Sequence, residues 1–182
     1  MEERELINEC LKFNSSAQKK LYERYSRKLF AISIRYTKNR TEAEDILQES
    51  FVKIFKKLHM YQFSGSFDGW IKRIVINCAL DHFRQKKEFL LSLSEIKEQE
   101  YAIDEEESCN HLREIPAEKL FEMINQLPIG FKAIFSMKAI DGFTHKEIAE
   151  KLGISDGTSK SSYSKARNKL KILLEQYYAR EI

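Results

Sequence analysis

The sequence predicts an all-α fold: two small helical units joined by a flexible acidic linker. Three observations carry that prediction. Helix breakers are scarce, with 2 prolines and 6 glycines in 182 residues, so periodic segments can run on uninterrupted. Apolar residues recur at three- and four-residue spacing through most of the chain, which is the period of one helix face. Between the two periodic regions, residues 98–107 (EQEYAIDEEE) hold six acids and no base. Such a stretch has too little apolar surface to offset the entropy cost of ordering. The expected division is a first unit over 1–87, a linker over 88–115 and a second unit over 116–182.

Bulk composition excludes several classes. Hydrophobic residues at 42% support a packed core and charged residues at 32% a soluble one. The net charge of +3 is small, but its layout is uneven. Residues 151–171 carry six Lys or Arg against the single acid Asp156, which fits a nucleic-acid-facing end. Cys10, Cys78 and Cys109 are odd in number and far apart, so free thiols in a reducing compartment are expected. Cys109 and His111 lie two apart without further ligands nearby, so no metal or other cofactor is expected. The start, MEERELINEC, has no apolar signal core, and no run approaches transmembrane length. A cytoplasmic protein without membrane insertion is therefore expected. No nucleophile–base set or glycine-rich phosphate loop is present, so an enzyme is not expected.

The first unit reads as four helices. Glu2 to Phe13 is amphipathic, with Leu6, Ile7, Cys10 and Leu11 on one side. Asn14-Ser15-Ser16 supplies N-cap residues for a helix from Ser16 to about Thr37. Leu21, Tyr25, Leu29, Ile32 and Tyr36 line its buried side. Thr41, with Glu44 three residues on, predicts a capping box for the third helix, which runs to Leu58. Ala43, Ile46, Leu47, Ser50, Phe51, Ile54, Phe55 and Leu58 form its buried face, leaving Asp45, Gln48 and Glu49 elsewhere. Asp45 and Glu49 are one turn apart. Without a third ligand or nucleophile, they fit an acidic patch for a basic partner, or plain solvation.

The fourth helix, Phe67 to Arg84, follows a loop of aromatic and small polar residues (HMYQFSGS). Phe67, Ile71, Ile74, Val75 and Cys78 share its apolar face, while Arg73, Asn77 and Arg84 fall on a neighbouring stripe. Trp70 stands at the seam. Cations, an amide and an aromatic ring suit phosphates, base edges and unstacked bases respectively. An ordinary amphipathic helix with solvated arginines remains the alternative on this stretch alone.

The second unit begins at Pro116. Leu120, Phe121 and Ile124 are the expected core of its first helix. Pro128 opens the next, which carries Phe131, Ile134, Phe135 and Ala139 and ends at Asp141-Gly142. Thr144 and Glu147 then form a capping box for a short helix with Ile148, Ala149 and Leu152 inward. Gly153 makes a sharp turn, Ile154 plugs the corner, and Ser155 or Asp156 caps a long final helix. Helix, glycine-containing turn, helix is the helix-turn-helix pattern. Thr158, Lys160, Ser161, Ser164, Lys165 and Arg167 would then meet base edges and phosphates.

Three stretches together, EAEDILQESFVKIF, FSGSFDGWIKRIVINCALDHFR and LP…F…DGFTHKEIAEKLGISDGTSKSSYSKAR, resemble the extracytoplasmic-function (ECF) sigma factors of the sigma-70 family. The likeness covers about residues 16–86 and 116–174. It implies a region-2 domain, a linker and a helix-turn-helix region-4 domain. It also implies core RNA polymerase and promoter DNA as partners, and an anti-sigma factor is common in that family. Asp45, Gln48 and Glu49 match the D-x-x-Q-E motif, which docks on the clamp helices of the polymerase largest subunit. The helix with Trp70, Arg73, Asn77 and Arg84, and the loop before it, would recognise and melt the minus-ten element, with Asn77 at the position that contacts an extruded base. The final helix would read the minus-thirty-five element in the major groove. The acidic linker is expected either to run through a basic polymerase channel, imitating RNA, or to act as a solvated spacer.

The chain also departs from the family pattern. Where G-T-V-K-S and a basic residue are usual, it has GTSKSSYS, so Ser159 replaces an apolar residue and Ser162 a frequent Arg or Lys. A looser start to the last helix is expected. The competing reading is a helix-turn-helix regulator that binds duplex DNA without polymerase, and it leaves Asp45, Gln48 and Glu49 unexplained.

Overall fold

The structure is a computed structural model that describes residues 2–84 and 115–180. These fall into two compact helical units. The linker expected over 88–115, all but its last residue, lies outside the described residues, as do the acidic run 98–107, Cys109 and His111.

The first unit holds α1 (Glu3–Leu11), α2 (Ser15–Arg35), α3 (Arg40–Lys57) and α4 (Phe67–Arg84), with a single 3-10 turn (Leu58–Met60) after α3. Helices α2, α3 and α4 pack on one another, and α1 lies along α2. Leu21, Leu29, Ile46, Ile54, Phe67, Ile71 and Val75 are nearly or wholly inaccessible to water. Each such side chain contributes about 1.5–3 kcal/mol. Ser33 and Ser50 sit in this core and donate to carbonyls one turn back, at Leu29 (3.1 Å) and Ile46 (2.6 Å). Small hydroxyls satisfied in this way need no further partner.

Two local expectations shift. Asn14 caps α2 as expected, accepting from the amides of Ser16 and Ala17. The third helix, however, starts before Thr41. Asn39 is its cap, accepting from the Glu42 amide at 2.9 Å, while the Glu42 carboxylate reaches back to the Asn39 side chain at 3.2 Å. Asn39-x-x-Glu42 takes the place expected for Thr41-x-x-Glu44, and the helix starts two residues earlier. Leu11, expected on the buried side of α1, is 36% exposed at the helix end.

The second unit holds α5 (Ala117–Asn125), α6 (Ile129–Phe135), α7 (His145–Leu152) and α8 (Asp156–Arg180). Helix α6 continues into a π-helical turn over Ser136–Ile140. Met123, Ile124 and Leu127 pack against Ala166 and Leu170 of α8, with Phe131, Phe135, Leu173, Leu174 and Tyr177 around them. Two residues expected in this core are outside it: Leu120 is 40% exposed and Ala139 is exposed. Helix α5 is only nine residues long, and the residues it buries are Met123 and Ile124. The π-helical turn rotates Ala139 away from the phase that α6 alone would give it. Burial pushes the Lys132 ammonium down to about 8. No helix among the described residues is long and apolar enough to cross a membrane.

Candidate nucleic-acid interface

On α3, Ala43, Ile46, Leu47, Ser50, Phe51 and Ile54 face inward, so the opposite strip must face water. Asp45, Gln48 and Glu49 are all exposed there. Glu49 pairs with Lys53 one turn on, Oε1 to Nζ 2.7 Å. That hydrogen bond holds the Lys53 ammonium above its ordinary range. Val52, 52% exposed, falls between these polar residues on the same strip, three after Glu49 and four after Gln48. Sequence reasoning passed over Val52. Val52 gives this otherwise polar strip one apolar side chain.

The loop before α4 is held by aromatic contacts. The Tyr61 ring centre lies 5.0 Å from Phe63, 5.1 Å from Phe67 and 5.5 Å from Trp70. Tyr61 Oη donates to the Gly65 carbonyl at 2.8 Å. Phe67 is buried and anchors the group, while Trp70 is half-buried beside it, 5.7 Å away in stacked orientation. Gly65, at φ 89, makes the turn that other residues would adopt only under strain. The Ser66 hydroxyl accepts from the Gly69 amide at 3.3 Å and so caps α4. Tyr61 and Phe63 were in the loop named from the sequence, but their role in holding it was not legible there.

From this anchored start, α4 buries Ile71, Val75, Cys78 and Ala79 and leaves Arg73, Asn77 and Arg84 exposed. Arg73 and Asn77 stand one turn apart, and Arg84 lies two turns beyond Asn77. Arg84 Nη1 is 3.7 Å from Asp81. Helix α4 is tied to α2 through Asp68, whose Oδ1 meets Lys28 at 2.6 Å and Oδ2 meets Lys72 at 3.2 Å. Partial burial works against the Asp68 carboxylate, but these two ammonium groups outweigh it and hold its pKa below the usual range.

In the second unit the helix-turn-helix is built as its residues require. Thr144 and Glu147 make the reciprocal capping box at the start of α7. Gly153, at φ 67, ends α7 in the left-handed conformation, and its amide donates to Ala149. Ser155 Oγ accepts from the Thr158 amide at 2.9 Å and starts α8. Ser159, Ser162, Ala166 and Leu170 then face the core. This phase turns Lys160, Ser161, Ser164 and Lys165 outward. Lys160 and Arg167 are exposed; Ser161, Ser164, Lys165 and Thr158 are half-buried. Thr158 has its hydroxyl 2.8 Å from Ser155 Oγ, as part of the cap. Lys160 Nζ reaches Asp156 at 2.6 Å, and the Arg167 guanidinium lies 6.0 Å above the Tyr163 ring.

The two unusual serines are both wholly buried. Ser159 Oγ is 2.9 Å from His145 Nδ1, so the polar residue in the apolar position is satisfied across the two helices. The Ser162 hydroxyl has no hydrogen-bond partner among the described residues. Position 162 therefore packs and does not offer a side chain to solvent.

Comparison with known proteins gives a consistent result. Residues 21–89 match the Sigma-70 region 2 family model, and residues 117–170 match the model for Sigma-70, region 4. The RNA polymerase sigma factor SigZ of Bacillus subtilis is 33% identical over 137 residues, covering 72% of each chain. The RNA polymerase sigma-H factor of Pseudomonas aeruginosa is 24% identical over 174 residues, 91% of this chain and 90% of that one. The ECF RNA polymerase sigma factor SigE of Mycolicibacterium smegmatis is 29% identical over 159 residues; the match takes in 86% of this chain but only 61% of that protein. The fold is shared with the sigma factor RpoE of Bartonella quintana, solved with the anti-sigma factor NepR. There the TM-score is 0.51 at 20% identity over 86% of this chain and 96% of that one. With both regions matched in order along one helical chain, the protein belongs to the sigma-70 family of RNA polymerase sigma factors, in its extracytoplasmic-function branch.

Proposed function

We propose that this sigma factor binds core RNA polymerase through the outward strip of α3, directs it to specific promoters and helps melt the minus-ten element. The observation that carries this reading is the pairing of two surfaces in one unit. Asp45, Gln48 and Glu49 are exposed on α3, and Arg73 and Asn77 are exposed on α4 beside an anchored aromatic loop. A duplex-binding regulator needs the second unit alone.

The chemistry follows from the groups present. The acidic strip of α3 complements a basic polymerase surface, and Val52 adds apolar contact once water is excluded. Opening DNA costs a few kcal/mol per unstacked base, recovered when the base is held by stacking and by hydrogen bonds to its edge. Asn77 can both donate and accept such bonds. Arg73 and Arg84 suit the neighbouring phosphates, and half-buried Trp70 offers a ring edge. In the second unit, α8 enters the major groove of the minus-thirty-five element, with Lys160, Ser161, Ser164, Lys165 and Arg167 against bases and phosphates and Thr158 at its start. Tethering the two weak contacts in one chain raises the effective concentration of each. The chain then acts in the cytoplasm, where an anti-sigma factor covering the same surfaces would silence it.

Equilibrium binding of the fluorescently labelled full chain to purified core polymerase tests the reading. Tight binding that Asp45→Arg/Glu49→Arg weakens by tenfold or more (about 1.4 kcal/mol) is expected. Absence of any binding to core polymerase would overturn it.

A further inference from the structure

Helix α1 precedes residue 21, where the region-2 match begins, yet one of its side chains reaches the loop before α4. The Arg4 guanidinium carbon lies 5.0 Å from the centre of the Phe63 ring. Phe63 has φ 55, in the left-handed region that a side-chain-bearing residue avoids, and it remains 37% exposed. Neither backbone preference nor deep burial accounts for this ring in this place. Two neighbours hold it: Tyr61, centre to centre 5.0 Å, and Arg4. Tyr61 passes the constraint on, through its contacts with Phe67 and Trp70 and its hydrogen bond to Gly65. Helix α1 is itself fixed, since Leu6, Ile7 and Cys10 are buried and the Glu3 carboxylate accepts from Tyr25 Oη.

We propose that Arg4 is a positioning residue for the minus-ten loop. Its stacked guanidinium holds Phe63, and through Tyr61 the 61–66 turn, in the shape that meets the unpaired strand beside Trp70. This rests on the reading of α4 as the minus-ten face. Arg4 itself need not touch DNA. Its effect is on how fast the loop accepts an unstacked base, because a loop released from α1 must be ordered again at each opening event. An exposed cation–π contact of this kind corresponds to about a two- to fivefold change in rate.

The test is promoter opening by the full chain with core polymerase, followed with a fluorescent adenine analogue placed in the minus-ten element. Wild type is compared with Arg4→Ala, Arg4→Lys, Phe63→Leu, the Arg4→Ala/Phe63→Leu double variant and Asn77→Ala. Opening should slow about two- to fivefold in Arg4→Ala and recover in part in Arg4→Lys, which keeps a cation over the ring. Removing Arg4 should add nothing once Phe63 is Leu, and polymerase affinity should stay at its wild-type value. Wild-type opening in Arg4→Ala would overturn the proposal. So would a loss fully additive with Phe63→Leu, or one that tracks a fall in polymerase affinity. If Asn77→Ala slows opening and Arg4→Ala does not, the Arg4 proposal alone fails. If Asn77→Ala also opens at the wild-type rate, the minus-ten reading fails with it.

Discussion

His145 Nδ1 and Ser159 Oγ stand 2.9 Å apart and join the first turn of α7 to the first turn of α8. The two helices are otherwise linked by the Gly153 turn and by apolar packing around Ile148, Ala149 and Leu152. The Tyr163 ring meets His145 edge-on at 5.6 Å and stacks on Phe135 at 5.9 Å, so the contact is continuous with the core. Ser159→Ala removes one hydrogen bond and leaves a partly buried ring nitrogen unpaired. A loss of about 1 kcal/mol is expected. Amide hydrogen exchange of α7 and α8 in the full chain would read it, with protection in α1 to α4 unchanged.

The same histidine predicts a pH dependence. Burial, and then the charge of Lys138, lower its pKa from the ordinary 6.5; Asp156 pulls the other way and Lys160 adds to the lowering. The unfolded chain therefore binds a proton more readily than the folded one as pH falls through 6.5. Stability of the second unit is present above that value and declines towards the folded pKa. Protection of the α7 and α8 amides, corrected for the intrinsic slowing of exchange in acid, should fall as pH drops below 6.5, and His145→Gln should flatten that trend.

Gly153 is at φ 67 with open space where a Cβ would stand. Gly153→Ala therefore meets no clash but bears the left-handed backbone cost of about 1 kcal/mol. A lowered unfolding temperature and weaker minus-thirty-five binding are expected, with polymerase binding through α3 retained.

Val52→Asp tests the one side chain of the α3 strip that the sequence did not point to. Placing a third acid among Asp45, Gln48 and Glu49 keeps the helix exposed and soluble but removes the apolar centre. Polymerase affinity should fall about tenfold, near 1.4 kcal/mol, with helix content unchanged by circular dichroism. Unchanged affinity would confine the contact to the polar residues.

What could be read from the sequence depended on how tightly local chemistry restricts structure. The Thr144–Glu147 box and Gly153 were legible because a reciprocal cap and a left-handed terminus admit few residue types. The face of α2 was legible because twenty-one residues at helical spacing fix the phase. On α4 the spacing found Phe67, Ile71, Val75 and Cys78 but missed Ile76, Leu80 and Phe83, which are buried too, and Ile74 is only half-buried. Helix α5 is too short to fix its phase, and there Leu120 and Met123 change places. The start of α3 went astray because two overlapping capping patterns fit, and only tertiary packing chooses between Asn39 and Thr41. Ser159 was placed in an apolar position by the family pattern, but its His145 partner was not legible, and Ser162 was unreadable as a core position because a hydroxyl does not say which way it faces. Val52 carried no motif, and the contact between Arg4 and Phe63 joins residues distant in sequence.

The central claim is that α3 and α4 together make this chain a polymerase-dependent initiation factor. Run-off transcription with purified core polymerase and a library of promoter fragments tests it most directly, comparing wild type with Asp45→Arg/Glu49→Arg and with Asn77→Ala. Specific initiation by wild type, lost in both variants, is the predicted result. No initiation with core polymerase, together with tight duplex binding by the protein alone, would contradict it.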